Sequence, residues 1–401
     1  MELKCAFQTY DWGKRGINSI VANLLKTANA DFVLDEQKPY AELWMGTHQN
    51  GPSHLKNMEI SLQKYIQENT NVLGSNIEIR NFGIDLPFLF KVLSINKPLS
   101  IQVHPDKEKA EVLHGLFPDV YKDPNHKPEL AIALTPFKAF CGFRPINDIK
   151  KYLEELPELC AAVGETNARQ LLKANNSLVT DALKKCFFTL VNRDSVMLYI
   201  TQLLERLERK DDVYKKSLNF DLLKRLHAEF PGDVGCFAVY LLNYITLQPG
   251  EAIYISPNVV HAYLSGDCIE CMACSDNVIR AGLTPKQKDV PNLMQNMAFD
   301  CSLSSIQKLL PYREDLYTEV FRPPVSEFAV AKITIPPGQP FYKLITRNSA
   351  SILIIVDGKG NISSKTYCRG SVLFIPANEE IKIEVLCFCH PMLMFQAFVN
   401  V

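Results

Sequence analysis

The spacing of apolar residues predicts helical stretches in two parts of the chain. Five apolar side chains between Ile17 and Leu25 repeat at three- and four-residue intervals, as on one face of an amphipathic helix. A further helix is predicted over residues 107–113, where Asp106 suits the N-cap. Helical spacing returns in a stretch rich in Leu, Lys and Glu from residue 145 to about 231, which predicts a helical subdomain.

Between these stretches the pattern changes to that of β-strands. Residues 88–93 are apolar apart from one lysine, and residues 99–104 alternate strictly between apolar and polar. Because alternate residues of a strand face opposite sides of a sheet, Gln102 and His104 project from the same face and suit two ligands of one metal. A polar strand face in contact with water is the alternative interpretation.

Short β-rich runs follow the helical stretch, through residues 252–255 and 269–273, and again from Glu319 to the C-terminus. Proline, glycine and asparagine separate the later runs. This spacing favours a sandwich or barrel of antiparallel strands.

A weak internal repeat relates two of these β-rich segments. Gly250–Asn258 resembles Gly370–Asn378, and the place of His261 after the first copy is taken by Ile381 after the second. The repeat predicts two related β-barrels, of which only the first has a polar site.

Composition and charge narrow the possible functions. Of the 401 residues, 47% are hydrophobic and 22% charged, which is ordinary for a globular protein. The formal net charge of −1 lacks the basic surplus of a nucleic-acid-binding protein. No apolar run is long enough to span a bilayer and the N-terminus does not resemble a secretory signal, so we expect a soluble cytoplasmic protein whose 12 cysteines are reduced.

Polar residues in three segments are candidates for a metal site. Lys127 and Glu129 share a face if their segment is extended, although an exposed ion pair is the ordinary explanation. His261 and Tyr263 would also face the same way, and a single histidine is more often structural. Together with the strand Gln102–His104, these segments offer two histidines, one glutamate and one glutamine, an N/O ligand set that suits Zn²⁺ and also Mn²⁺ or Fe²⁺.

A Cys-x-x-Cys-x-x-Cys string at residues 268–274 is a pattern found in metal clusters. We reject that interpretation, because residues three apart on a strand point to opposite faces. The same alternation lets Glu270 face a site. Arg280 and Lys286 lie near a glycine and suit a phosphate or carboxylate ligand. The chain has no P-loop, no Gly-x-Gly-x-x-Gly and no His-Glu-x-x-His.

Longer blocks of sequence carry a family resemblance. The blocks are Tyr10–Gly13, Ala41–His48, Phe90–Ser94, Leu99–Asp106, Asp123–Phe137, Cys141–Pro145, Pro231–Cys236 and Pro249–Val290. In this order they closely resemble the type I mannose-6-phosphate isomerases (phosphomannose isomerases), and the likeness spans most of the chain. The departures from the family pattern are minor, at Thr47, Gln49 and Gln287, and none is a proposed ligand.

The resemblance implies a cupin-like fold, mainly β with a helical insertion. It implies a catalytic jelly-roll barrel from residues 1–145 and 233–318, a helical domain over 146–232, and a C-terminal β-barrel without a metal site over 319–401. It also implies one Zn²⁺ per chain, with the ligands Gln102, His104, Glu129 and His261.

The implied reaction interconverts D-mannose 6-phosphate and D-fructose 6-phosphate through a cis-enediol, and it supplies mannose for GDP-mannose and glycan synthesis. Arg280 matches the family's active-site arginine and would stabilise negative charge that develops beside the reacting carbons. Glu270 or Lys127 would carry the proton between C1 and C2, with Asp276 and His126 as neighbouring candidates.

The other predicted site residues concern binding. Lys91, Ser100 and Lys286 are candidates for the phosphate, and Trp12 and Tyr263 for walls around the sugar, although both aromatic residues also suit ordinary packing. We expect a small sugar phosphate as the partner, no nucleic acid or membrane, and a monomer. Two alternatives stay open: an Fe²⁺-dependent cupin oxygenase, and a sugar-binding cupin without enzymatic activity.

Overall fold

A computed structural model describes residues 1–58, 60–75, 81–175, 177–302 and 307–400. Within these ranges short 3₁₀-helices lie at Gly16–Asn18, Thr70–Leu73 and Val234–Phe237. The α-helices are α1 (Ile20–Ala28), α2 (Leu62–Glu68), α3 (Lys107–Leu116), α4 (Ile146–Glu155), α5 (Pro157–Val163), α6 (Glu165–Lys173), α7 (Val179–Val191), α8 (Met197–Glu208), α9 (Asp212–Ser217), α10 (Phe220–Glu229), α11 (Ala238–Leu241) and α12 (Val290–Asn296).

The strands fall on both sides of the helical stretch. Before it and just after it lie β1 (Glu2–Lys4), β2 (Ala6–Gln8), β3 (Glu42–Met45), β4 (His54–Leu55), β5 (Phe88–Ile95), β6 (Ile101–Val103), β7 (Glu129–Ala133), β8 (Phe137–Phe143), β9 (Leu242–Leu247), β10 (Ala252–Ile255), β11 (His261–Ala273) and β12 (Ile279–Gly282). The C-terminal strands are β13 (Gln307–Lys308), β14 (Tyr312–Arg313), β15 (Thr318–Phe321), β16 (Ala329–Ile335), β17 (Phe341–Lys343), β18 (Ser351–Asp357), β19 (Lys359–Ile362), β20 (Lys365–Cys368), β21 (Val372–Ile375), β22 (Lys382–Val385) and β23 (Met392–Phe398).

The strand β11 connects the parts of the first β-sheet. Its first half pairs with β6 and β8, and its second half pairs with β5 and β7. The change of partners falls at Ser265–Gly266, next to a bulge, where Gly266 has φ +114°. This backbone conformation favours glycine. One long strand therefore carries residues into both halves of the sheet.

The helices α4–α10 lie within the predicted helical insertion and share a core with the sheet. Buried leucines such as Leu153, Leu171, Leu203 and Leu223 pack in one cluster that also contains Val103 of β6. The insertion therefore supports the back of the strand that carries Gln102. The predicted mainly-β fold with a helical insertion is confirmed.

The C-terminal strands build a second β-rich unit whose interior is filled by apolar side chains, among them Ile333, Leu353 and Ile383. The internal repeat has a structural counterpart. Gly250 and Gly370 have φ +88° and +87° before β10 and β21, and Asn258 and Asn378 have φ +68° and +63° after them.

The predicted division of the chain into four segments stays a prediction. The first strand, β1, does not belong to the first β-sheet. It lies between β21 and β4, in the sheet of the C-terminal strands. Within the ranges that the structure describes, no helix combines the length and apolarity needed to cross a membrane.

Candidate active site

Three neighbouring strands place distant residues side by side. His261, the first residue of β11, pairs with Gln102 of β6, and Arg280 of β12 pairs with Gln102 from the other side. Directly paired residues of antiparallel strands point to the same face, with Cβ atoms about 4.5–5.5 Å apart. The sheet therefore presents an amide, an imidazole and a guanidinium on one face.

His104, Glu129 and His261 form a compact buried group. Their candidate ligand atoms all lie within 4.8 Å of one another. The Nε2 atom of His104 lies 3.3 Å from Oε1 of Glu129, and Nε2 of His261 lies 3.2 Å from Oε2. Ligands at zinc's usual bond lengths of 2.0–2.1 Å have tetrahedral edges of about 3.3 Å. The spacing of the group therefore fits a tetrahedral metal.

The hydrogen bonds of both imidazoles fix their tautomers. Nδ1 of His104 lies 2.7 Å from the Asn277 carbonyl oxygen, and Nδ1 of His261 lies 2.9 Å from that of Val259. Each Nδ1–H must donate to its carbonyl, so each Nε2 carries a lone pair. Both Nε2 atoms and Oε2 of Glu129 are buried and have no hydrogen-bond partner among the described residues. Converging lone pairs of this kind fit a bound cation.

Electrostatics keep these candidate ligands in forms that can bind a metal. Burial alone raises the pKa of the Glu129 carboxyl, but Lys127, whose Nζ lies 3.2 Å from Oε1, and the two histidines hold that pKa well below its usual range. Burial lowers the pKa of His104 to about 4, and the Lys127 charge acts in the same direction. Near neutral pH the site therefore offers a carboxylate and a neutral imidazole.

A cavity of about 670 Å³ opens in front of this group and includes Glu129 in its wall. It brings together most of the predicted site residues. They are Trp12, Lys91, Ser100, Gln102, Lys127, Glu129, Tyr263, Glu270, Asp276, Arg280 and Lys286.

Two cations in the cavity differ in their surroundings. Lys91 is buried, with Nζ 3.1 Å from Glu270 Oε2 and 3.4 Å from Glu42 Oε2 and packed over the Trp44 ring. Burial alone lowers the pKa of Lys91, but the two carboxylates more than offset this effect and raise it. Arg280 has no ion-pair partner among the described residues, and burial lowers its pKa. The guanidinium of Arg280 is therefore available to an anion, whereas the positive charge of Lys91 is already balanced by two carboxylates.

The cavity wall also contains the predicted acids. Burial raises the pKa of Glu270, against the opposing effect of Lys91. Asp276 lies 3.3 Å from His48, whose hydrogen bond lowers the pKa of Asp276 despite partial burial. Burial also raises the pKa of the Tyr263 hydroxyl well above its usual range, so Tyr263 stays protonated.

His126 lies outside this group. Its Nε2 is 2.5 Å from Glu327 Oε1, and it lines a neighbouring cavity rather than the one with Arg280. His126, a neighbouring candidate for the proton transfer in the sequence, thus lies in a different cavity from Arg280, and its role stays a prediction. Conversely, sequence reasoning missed Glu42 and His48 as site residues. Both lie in the resemblance block Ala41–His48, but only long-range strand pairing brings that block to the cavity.

Comparisons with known proteins agree with this geometry. The description "phosphomannose isomerase type I, catalytic domain" matches residues 1–146, and "phosphomannose isomerase type I, helical insertion domain" matches residues 159–242. The chain is 44% identical over 406 residues to the mannose-6-phosphate isomerase of Homo sapiens, with 96% of this chain and 95% of that protein covered. It is 37% identical over 394 residues to mannose-6-phosphate isomerase 1 of Arabidopsis thaliana, covering 95% and 90%.

Solved structures are similar over the whole chain. The apo form of mannose 6-phosphate isomerase from Salmonella typhimurium aligns with a TM-score of 0.82 at 30% identity, covering 100% of this chain and 99% of that one. A mannose 6-phosphate isomerase bound with zinc and yttrium aligns with the same TM-score and coverage at 29% identity.

Proposed function

The chain belongs to the type I phosphomannose isomerases and is an isomerase, and from this premise we propose that it interconverts D-mannose 6-phosphate and D-fructose 6-phosphate with one bound Zn²⁺. The observation that carries the proposal is the buried group His104–Glu129–His261, whose Glu129 lines the same cavity as the unpaired Arg280. The relatives' names support the substrate.

The ligand set supports a metal with open access to substrate. Two imidazole nitrogens and one carboxylate converge, and Gln102, the strand partner of His261, would add a neutral oxygen. These donors suit zinc, which the name of one solved relative also mentions. When bound, such an ion supplies a Lewis acid that polarises sugar oxygens.

The residues around the metal group divide the remaining chemistry. A proton must move between C2 and C1 of the open-chain sugar through a cis-enediol. We assign it to Glu270, because its carboxyl lines the cavity and burial raises its pKa toward the working range of a general base. Lys127 is instead engaged with Glu129, which it holds as a carboxylate.

The anionic parts of the substrate require cations or hydroxyl donors. Arg280 would stabilise the negative charge that develops on the sugar oxygens, because its guanidinium faces no carboxylate in the described part of the chain. Ser100 and Lys286 also line the cavity and are the proposed phosphate ligands. Lys91, the third residue that the sequence offered as a phosphate ligand, is less suited to bind phosphate, because two carboxylates already lie beside its ammonium.

The wider role follows from the resemblance alone. We propose that the product mannose 6-phosphate supplies GDP-mannose and glycan synthesis in the cytoplasm, and that the enzyme acts as a monomer.

The test measures fructose 6-phosphate formed from mannose 6-phosphate by purified protein before chelation, after chelation and after zinc is restored. We expect turnover to fall to background with chelator and to recover with one zinc per chain. Folded, zinc-loaded protein that binds the sugar phosphate without turnover would overturn the proposal in favour of a binding protein. Oxygen uptake with Fe²⁺ would overturn it in favour of an oxygenase.

A further inference from the structure

The helical insertion reaches the substrate cavity at one point. Helix α10 ends at Glu229, and both Glu229 and the following Phe230 line the cavity that contains Arg280. The predicted catalytic and binding residues all come from other parts of the chain. The end of α10 is therefore an unassigned part of the cavity wall.

The carboxylate of Glu229 has one occupied and one free oxygen. Oε1 accepts a hydrogen bond of 3.1 Å from Nε of Arg225, one helical turn earlier. Oε2 is buried and has no hydrogen-bond partner among the described residues. A buried carboxylate oxygen without a donor is costly, so this atom is suited to accept a hydrogen bond from a ligand in the cavity.

Arg225 joins the same helix to another part of the cavity wall. Its Nη2 donates to the carbonyl oxygen of Asn96 at 2.6 Å and to that of Leu264 at 3.3 Å. Asn96 begins the turn between β5 and β6, and the turn residues Lys97–Ser100 line the cavity. One guanidinium thus fixes both the Glu229 carboxylate and the turn that leads to Gln102.

We propose that Glu229 binds a hydroxyl group of the sugar phosphate, and that Arg225 is the positioning residue for Glu229 and for the β5–β6 turn. The inference rests on the proposed substrate class. An ionised carboxylate only accepts hydrogen bonds, and within a sugar phosphate dianion only the hydroxyl groups donate them. The insertion thereby contributes directly to substrate binding, in addition to supporting the sheet.

The first experiment compares KM and kcat for mannose 6-phosphate in E229Q and in the control E208Q. Glu208 lies in the same insertion, where it forms an exposed ion pair with Lys224. Loss of a charged hydrogen bond that is equally strong in ground and transition states raises KM without changing kcat. We expect KM to rise about 10-fold in E229Q with kcat changed less than about 2-fold, and E208Q to behave as wild type. Unchanged KM in E229Q would overturn the proposal, even if its stability falls.

A second set of measurements separates hydroxyl binding from other effects. E229D keeps the charge and should give an intermediate KM, which protects the test if E229Q folds poorly. Inorganic phosphate has little need of Glu229, so its inhibition constant should not weaken in E229Q. A lower KM with tighter phosphate inhibition would mean that Glu229 repels anions, and would overturn the assignment.

Arg225 is tested through its coupling to Glu229. R225Q should also raise KM, R225K should recover part of the loss, and the double variant R225Q/E229Q should be less impaired than the product of the single effects. Independent effects would contradict the positioning role.

If wild-type protein does not isomerise the sugar, the proposed function fails. Calorimetric binding of mannose 6-phosphate to wild type and to E229Q still tests the role of Glu229 separately.

Discussion

At the residue scale, the surroundings of a side chain decide its role more than its identity does. Lys91 and Arg280 line the same cavity, and sequence reasoning treated both as cations for substrate anions. Glu42 and Glu270 lie on Lys91, whereas no carboxylate among the described residues lies on Arg280. The unpaired guanidinium of Arg280 is free to stabilise a developing negative charge. The ammonium of Lys91 instead holds the carboxylates of Glu42 and Glu270 in place.

This difference leads to a prediction for Arg280. R280Q should lower kcat by about 100-fold or more, because a preorganised charge partner of the transition state is lost. The zinc content and melting temperature of R280Q should remain near wild type, because Arg280 does not belong to the buried group His104–Glu129–His261. Its pairing with Gln102 is through the strand backbone, which the substitution keeps. Kinetics and metal analysis check this, with R209Q at an exposed helix end as the control. Parallel losses of metal and turnover would contradict the assigned role.

How much of the site the sequence could predict is visible from individual residues. The strict alternation at 99–104 predicts Gln102 and His104 on one face. In the structure His104 belongs to the buried group with Glu129 and His261, and Gln102 is the strand partner of His261. Glu42 and Glu229 escaped prediction because nothing in their local sequence marks a cavity. Glu42 reaches it through the pairing of β3 with β5, and Glu229 through the packing of a helix.

At the element scale, β11 is the strand on which the site depends. The sequence predicted its second half, residues 269–273, whereas the structure extends it from His261 to Ala273. Gly266 concealed the continuity, because a glycine between two polar residues is typical of a turn. Here it lets one strand change partners within the sheet instead. By contrast, the N-cap at Asp106 was predictable and is confirmed, with its side chain accepting from the Lys109 amide.

Gly266, where β11 changes its strand partners, leads to a prediction about stability. In G266A the new methyl group would lie 2.6 Å from the Pro136 carbonyl oxygen, at a backbone φ of +114°. Strain and overpacking should together lower the free energy of unfolding by about 3–5 kcal/mol. Gly338, with φ +80° and open space around it, is the matched control, and G338A should cost only about 1–2 kcal/mol. Urea unfolding measures both, and equal losses would show that the close approach at Gly266 does not matter.

At the scale of the whole molecule, the predicted cupin-like fold is confirmed, and the two β-rich units explain the internal repeat. The first unit has His261 where the second has the buried Ile381. Apolar side chains fill the interior of the second unit. The pairing of β1 with β21 could not be predicted, because Glu2–Lys4 is too short to specify a partner about 370 residues away.

The buried group His104–Glu129–His261 also makes the free energy of unfolding depend on pH. In metal-free protein, burial and Lys127 lower the pKa of His104 to about 4, while an unfolded histidine titrates near 6.5. Between these values the unfolded chain binds a proton that the folded chain does not, so the free energy of unfolding falls as pH falls. From pH 7 to 4.5 this group should remove about 2–3 kcal/mol.

Two carboxyl groups of the site also couple folding to pH, with opposite signs. The pKa of Glu129 is held well below its usual range, so its contribution is lost only below the unfolded value, as pH falls toward the lower folded one. The pKa of Glu270 is raised, so its protonation restores some stability. Urea unfolding of chelator-treated wild type and H104Q at several pH values isolates the histidine, because only the wild type should lose stability steeply between pH 6.5 and 4.5. Identical slopes would mean that His104 does not stay neutral in the folded protein, and the tautomer argument for the metal site would fail with it.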